Sequence, residues 1–346
     1  MKTLKIIGKC LGFVCTFLLI LVAVVYSMGL IFCYGPSPHA RNLFVTTLLE
    51  TGQMKFVVKL FMSDEKVQEI VNSNSMDTFD EVIDDSLIHT DEIEDIDGIE
   101  LIEITGSTYM AKMIVVNDPS RVKLATIYDG NWKEYGVTLD KLVKDNNAFA
   151  GVNGGLYVSD SNKGGRPMGL VVRDGVIEHN NPSGIAGLHL VGFNEDNLLK
   201  VIDLSGKNKA EVEEVIKNEK IRDAVAFQEE MSDANNHFVK LIINGESRSV
   251  NGSGSGANPR TAIGQRKDGA VLLLVTDGRG ANGHLGATAQ DLIEVMEEYG
   301  AVNAANIDGG SSSSMYYDGK YEMTSVTLYY SNSSWRLPTG FIVEKR

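Results

Sequence analysis

Past residue 33 the chain contains no cysteine; its three lie at positions 10, 15 and 33. That excludes a disulfide scaffold, a thiolate nucleophile and a thiolate metal site from everything downstream. Histidine is scarce too, with six residues in 346. No His-x-His or two-His-carboxylate spacing occurs, so the sequence calls for no metal and no other cofactor. Positive charge is in short supply: beyond residue 33 there are 29 basic residues against 46 acidic ones. Such a surface argues against nucleic acid as a partner, and any anionic ligand must be held by a few local arginines. A G-x-S-x-G elbow is also missing, which sets aside a serine hydrolase of that type.

What the N-terminus does have is a long apolar run. Leu11 to Phe32 carries no charge over 22 residues, and Lys2, Lys5 and Lys9 precede it. That length crosses a bilayer, and the basic flank places residues 1–10 in the cytoplasm. Residues 11–33 therefore read as a transmembrane signal anchor, with everything beyond them extracellular. A cleaved signal peptide is the rival reading, but the run is long for one and no small-x-small cleavage site follows. A single-pass protein of the cell membrane with a cysteine-free exported domain fits a Gram-positive bacterium. Residues 34–97 read as a membrane-proximal segment. Amphipathic helices are expected within 40–71, followed by a stretch with twelve acids between Asp77 and Glu103 and no lysine or arginine. Without fixed ligand spacing, this reads as a self-repelling spacer rather than a cation site.

From residue 98 to 346 short β-rich runs take over: "YMAKMIVV", "GLVVRDGVIE", "HLVGF", "KLIINGE", "TAIGQRKDGAVLLLVTDG" and "GFIV". Asp174-Gly175, Asn244-Gly245, Asp268-Gly269 and Asp318-Gly319 are the centres of hairpins. Two helices stand out, at 209–218 and 288–300; Thr288 and Asp291 make a capping-box start for the second. The expected fold is α+β: a mixed, mainly antiparallel sheet with a few packed helices, preceded by the one transmembrane helix.

Two Asp-Gly pairs differ from the hairpins. Asp277 and Asp308 each end an apolar strand and lead into loop, a position where binding groups gather. "TDGRGANGHLGATAQDLIE" carries Arg279, His284 and four glycines toward a helix N-terminus, which offers free N–H groups to an anion. Arg279 and Arg260 can add planar forks for phosphate or carboxylate. "GVNGGLY" puts Asn153 and Gly154 at a bend. The loop "DGGSSSS" supplies Gly309, Gly310, Ser312 and Ser313 as donors to an oxyanion or sugar oxygen. Two carboxylates suit acetal chemistry, and arginines suit a phosphate.

The strings "NPRTAIG" (258–264), "LLLVTDGR" (272–279), "GATAQDLIEVMEEYGAVNAANIDGGSSSSM" (286–315) and "NGG" (153–155) resemble, in this order, the phosphodiester glycosidase family. Its usual strings run NGGFF, PRTAVG, VDGR and NLDGGGSSTM. Here Leu156-Tyr157 replaces the phenylalanine pair, Ser311 stands for the third glycine and Ser314 for threonine. The resemblance implies a hydrolase cutting between a sugar anomeric carbon and a phosphodiester, in exopolysaccharide or other envelope glycopolymer metabolism. It implies Arg260, Asp277, Arg279 and Asp308 as catalytic groups. Asn153, Ser312 and Ser313 match the family's strings as substrate contacts, and the loops that carry them add Gly154, His284, Gly309 and Gly310 as expected contacts. The partners expected are a carbohydrate phosphodiester or cell-surface glycopolymer, and the membrane through residues 11–33. Two alternatives stay open at this point: a non-catalytic polysaccharide-binding or assembly module, and a metal-dependent phosphodiesterase.

Overall fold

The computed structural model describes residues 2–51, 54–90, 95, 97–231, 236–326 and 332–345. Seven α-helices occur among them: α1 (Lys2–Tyr34), α2 (Pro38–Glu50), α3 (Lys55–Phe61), α4 (Asp64–Asn72), α5 (Leu139–Asp145), α6 (Lys209–Asn218) and α7 (Ala289–Glu298). The strands begin with β1 (Ile99–Thr105), β2 (Met110–Val116), β3 (Val122–Thr126), β4 (Ala148–Asn153), β5 (Gly169–Arg173) and β6 (Val176–Asn181). Next come β7 (Leu188–Asn194), β8 (Leu199–Asp203), β9 (Ile221–Gln228), β10 (Glu230–Met231), β11 (Asn236–His237), β12 (Lys240–Ile243) and β13 (Glu246–Ser247). The last are β14 (Thr261–Arg266), β15 (Val271–Thr276), β16 (Ala301–Ile307), β17 (Met315–Tyr317), β18 (Lys320–Met323) and β19 (Thr339–Glu344).

Three sheets result, in the orders β1-β2-β15-β14-β16-β12-β13, β18-β17-β4-β19-β3 and β6-β5-β9-β7-β8, with a small β10-β11 ribbon beside them. The pairings are antiparallel throughout. The fold is α+β, as the sequence pattern leads one to expect.

Strand β15 shows why the sheets stack. All six residues of "VLLLVT" are buried, and the two-residue period of a strand sends alternate side chains to opposite faces. Val271, Leu273 and Val275 join a core shared with Val152 and Phe341 of the second sheet and Val191 and Val225 of the third. Leu272 and Leu274 face the other way, onto Leu292 and Met296 of α7. A continuous apolar run is thus a strand covered on both sides.

The turns follow from local chemistry. Asp174-Gly175, Asn244-Gly245 and Asp318-Gly319 take positive φ at both residues, the type I′ geometry that matches strand twist. The Thr288 hydroxyl accepts from Asp291 N, and the Asp291 carboxylate accepts from Thr288 N, closing a reciprocal cap on α7.

Helix α1 contains one segment, Ile6–Tyr34, that is long and apolar enough to cross a membrane. Its C-terminal end is not isolated. Cys33 is buried with Val45, Leu49, Val58 and Ile70 of α2 to α4, and Phe32 stacks on Phe44 with centroids 4.9 Å apart. The acidic stretch is likewise attached where it is described. Met76 bridges to Val250, Lys240 Nζ donates to the carbonyls of Phe79 and Glu81, and Lys200 pairs with Asp85 at 2.7 Å. Residues 76–90 therefore lie along the domain, while acidic residues 91, 92 and 94 fall outside the described residues.

Because the reciprocal cap leaves no replacement donor or acceptor, Thr288→Ala is expected to cost about 1 kcal/mol. A calorimetric melt of the full chain in detergent, compared with wild type, checks this; a fall of roughly 2–4 °C is expected.

Candidate functional site

The antiparallel register brings sequence-distant motifs to one edge of the first sheet. Thr261, at the start of β14, lies opposite Val275 near the end of β15 and opposite Ile307 at the end of β16. Arg260, Asp277 and Asp308 flank these three residues, so they emerge at the same end of the sheet. The loop from Asp308 to Ser314 then crosses to the second sheet, where Met315 of β17 pairs with Val152 of β4. Asn153 sits one residue further along that strand.

A cavity of about 90 Å³ opens here, lined by Glu50, Phe227, His237, Asn258, Arg260, Arg279, Asp308, Gly309 and Gly310 among others. Two larger surface hollows, about 390 and 340 Å³, contain none of the motif residues, so the chemistry points to the smaller one.

Arg260 is the enclosed cation of this cavity, 6% exposed. Its Nη2 donates to Glu50 Oε2 at 2.5 Å and to the carbonyl of Gly256 at 2.7 Å. The guanidinium carbon lies 5.0 Å from the centre of the Phe238 ring. Glu50 is the C-terminal residue of α2 and also accepts from Gly256 N at 2.6 Å and from Asn258 Nδ2 at 3.1 Å. This is a carboxylate held by a guanidinium, a backbone amide and a side-chain amide, the donor set an anionic ligand would use. The fit is close: a Cβ on Gly256 would lie 2.4 Å from Thr47 N of α2.

Arg279 reaches the cavity from the loop after β15, with Nη1 donating to Ser311 Oγ at 2.9 Å. Desolvation in the crevice and then the like charge of Arg260 pull its pKa below the usual arginine range, against Asp308 and Glu50. Its approach depends on Gly310, which has φ of +63° and where a Cβ would fall 2.7 Å from Arg279 Nη2. His237 is drawn down to about 4 by burial, then by the charges of Arg260 and Lys55. It is therefore neutral at pH 7, and its Nδ1, 3.0 Å from Gln228 Nε2, is assigned as the acceptor.

Asp308 behaves differently from an ordinary carboxylate. Desolvation raises its pKa to about 7, although the Ser312 hydroxyl, the Gly309 amide and the Arg279 charge all favour the ionised form. Desolvation thus outweighs three stabilising partners, and a group poised near neutrality results.

The four serines each have an internal partner. Ser311 accepts from Arg279. Ser312 acts on Asp308 and lies 2.9 Å from the Tyr157 hydroxyl. The Thr261 hydroxyl bridges Ser313 Oγ and Asn153 Oδ1, and Ser314 Oγ donates to the Ser312 carbonyl. Asn153, fully buried, donates Nδ2 to the Asp308 carbonyl at 2.6 Å and accepts from Ser314 N. Gly154 donates to the Thr339 carbonyl. Hydrogen bonds thus turn Asn153, Ser313 and Ser314 inward to hold the Asp308 loop.

Asp277 and His284 come together but do not line the cavity. Asp277 Oδ1 accepts from Met110 N at 2.8 Å, and Oδ2 lies 2.7 Å from His284 Nδ1. The second carboxylate in the cavity is Glu50. Sequence reasoning missed it, along with Asn258, His237 and Tyr157. Asn258, two residues before Arg260, and Tyr157, at the end of "GVNGGLY", lay in quoted motifs, whereas Glu50 and His237 carried no local signal.

The family model for phosphodiester glycosidases matches residues 146–344, and the chain belongs to that family. It is 26% identical over 235 residues to the SPbeta prophage-derived uncharacterized protein YomE of Bacillus subtilis (strain 168), an alignment covering 65% of this chain and 34% of that protein. The chain thus spans about a third of the length of that curated relative. A solved structure is similar in fold: the catalytic domain of zebrafish N-acetylglucosamine-1-phosphodiester alpha-N-acetylglucosaminidase, described as auto-inhibited by its pro-peptide. The TM-score is 0.56 at 18% identity, over 75% of this chain and 87% of that one.

A carboxylate that is harder to ionise in the fold makes the folded state weaker as pH rises. With a folded pKa near 7 against about 4 unfolded, stability is lost progressively across that window. Asp308→Asn removes the titration. Its stability is expected to exceed wild type at pH 8, by on the order of 2 kcal/mol after allowing for partial exposure, with a higher melting temperature, and to approach it at pH 4. Melts at both pH values check this; an equal difference at the two would contradict it.

Proposed function

We propose that the chain is a membrane-anchored, extracytoplasmic glycosidase that hydrolyses sugar-1-phosphodiesters of a cell-surface glycopolymer. The observation that carries this is the convergence of Arg260, Arg279 and Asp308 on one cavity, in a chain of the phosphodiester glycosidase family. The two guanidiniums and the Gly256 amide receive the phosphate. Asp308, ionised, takes the proton of a water as that water bonds to the anomeric carbon and the bond to the phosphate oxygen breaks. The products are a free sugar and a phosphomonoester. A pKa near the working pH suits a general base, and the arginines offset the charge of the departing phosphate. Asp277 acts in this reading by bracing, through Met110 N and His284, the loop that carries Arg279, and Ser312, Ser313 and Asn153 act by shaping the Asp308 loop. Residues 6–34 anchor the chain in the membrane, with the catalytic domain outside.

A second reading concerns regulation. The zebrafish enzyme is described as auto-inhibited by its pro-peptide. We propose that α2 restrains the site of this chain, because the Glu50 carboxylate occupies the anion-binding donors at Arg260, Asn258 and Gly256.

The purified full chain in detergent, incubated with a GlcNAc-1-phosphodiester in ¹⁸O-water, is expected to release sugar that carries the label. Asp308→Ala should lower the rate by at least about 100-fold. Label in the phosphate product, or full activity of that variant, would overturn the proposal. Glu50→Gln keeps the shape but removes the competing charge, so kcat/KM is expected to rise roughly 5–30-fold, a gain of about 1–2 kcal/mol. An unchanged or lower value would remove the restraint reading.

A further inference from the structure

We infer that Tyr157 is a positioning residue of this site: its phenol fixes the direction of the Ser312 hydroxyl that serves the Asp308 carboxylate. The inference rests on the reading that Asp308 is the reacting carboxylate. Tyr157 is 8% exposed, and its hydroxyl is 2.9 Å from Ser312 Oγ. Burial, and then the neighbouring charge of Asp308, push the phenol pKa far above its usual value. The phenol therefore keeps its proton and has one O–H to donate. Ser312 Oγ is its partner in this structure, so the proton of Ser312 is free to point at Asp308, whose ionised form it favours. Two hydroxyls in series polarise each other, and such a chain is a stronger donor than a lone serine.

Both ends of this relay are held. Leu156 N donates to the Ala226 carbonyl and Val158 N to the Arg166 carbonyl, and Tyr157 itself bridges to Pro167. Ser312 N donates to the Gly309 carbonyl. The phenol thus reaches Ser312 from a segment braced on the third sheet, independently of the loop it serves. The hydroxyl is also a departure from the family's strings, in which the segment after the two glycines is a phenylalanine pair. The other charged or titratable groups around Asp308 are Arg260 and Arg279 from the loops flanking β14 and β15, Glu50 from α2, and His237 from β11. Removing the phenol leaves all of them in place.

The sign follows from the donor chain. Without the phenol the ionised carboxylate is less favoured, so the pKa of Asp308 rises. Full-length protein in detergent, labelled with ¹³C at aspartate Cγ, gives the midpoint directly, with the Asp308 resonance assigned by its loss in Asp308→Asn. In Tyr157→Phe the midpoint is expected to move upward by roughly 0.5 to 1 pH unit. The acid limb of kcat/KM moves with it, lowering the rate about 3–10-fold at pH 6 and little at pH 9. In a Ser312→Ala background the same change should move neither. An unmoved midpoint in folded Tyr157→Phe protein overturns the inference, even if activity falls. A moved midpoint in protein that releases no sugar supports the relay and instead overturns the glycosidase reading.

Discussion

Arg260 is a permanent positive charge with almost no access to water, and the rim of the first sheet is organised around satisfying it. An unpaired charge at that depth would cost several kcal/mol. Glu50, the Gly256 carbonyl, the Ser255 hydroxyl and the face of Phe238 all converge on the guanidinium. Those contacts fix the loop from 253 to 260 and with it the start of β14. Through the register of β14 they also fix where β15 and β16 end. The placement of Asp308 is a consequence of that alignment. Helix α2 is tied into the same arrangement, since its last residue supplies the counter-charge.

Asp308 shows the complementary strategy. Here the chain surrounds a carboxylate with donors and still leaves it reluctant to ionise, because desolvation exceeds what the donors return. The serine run explains how such a residue is kept in position. Its four hydroxyls link the Asp308 loop to Arg279, Tyr157 and Thr261 and to the loop's own backbone, so the loop's shape is set by contacts on several sides. Arg279 and the Asp308 carboxylate are thereby held close to each other at the cavity, and the charge of Arg279 favours the ionised carboxylate.

Much of this was legible in the sequence because it is local or periodic. Asp308 and Asp277 could be placed at strand ends from the apolar runs before them, and Thr288 with Asp291 announced the start of α7. The Asp-Gly and Asn-Gly hairpins followed from the positive φ those residues tolerate. What could not be read depends on three-dimensional meeting. Glu50 stands 210 residues before Arg260, in a helix whose amphipathic pattern says only that one face is covered. Nor could composition show that residues 76–90 would bind along the domain. Asp277 looked like the twin of Asp308, yet its two oxygens are engaged by Met110 N and His284. Strand-end position establishes where a side chain begins, whereas its direction depends on neighbours from other strands. The serines illustrate the same limit: their number suggested donors, but only the packed loop shows to whom they donate.

Only residues 35–37 separate the apolar helix α1 from α2, and Glu50 ends α2. Because Glu50 and Arg260 belong to one chain, the carboxylate on Arg260 is a tethered ligand, and its strength is governed by effective concentration. A group of the same folded chain is presented to its receptor at a fixed effective concentration. A free monovalent anion must compete against that standing concentration. The tether thus sets how concentrated an incoming anion must be before it displaces Glu50 from Arg260.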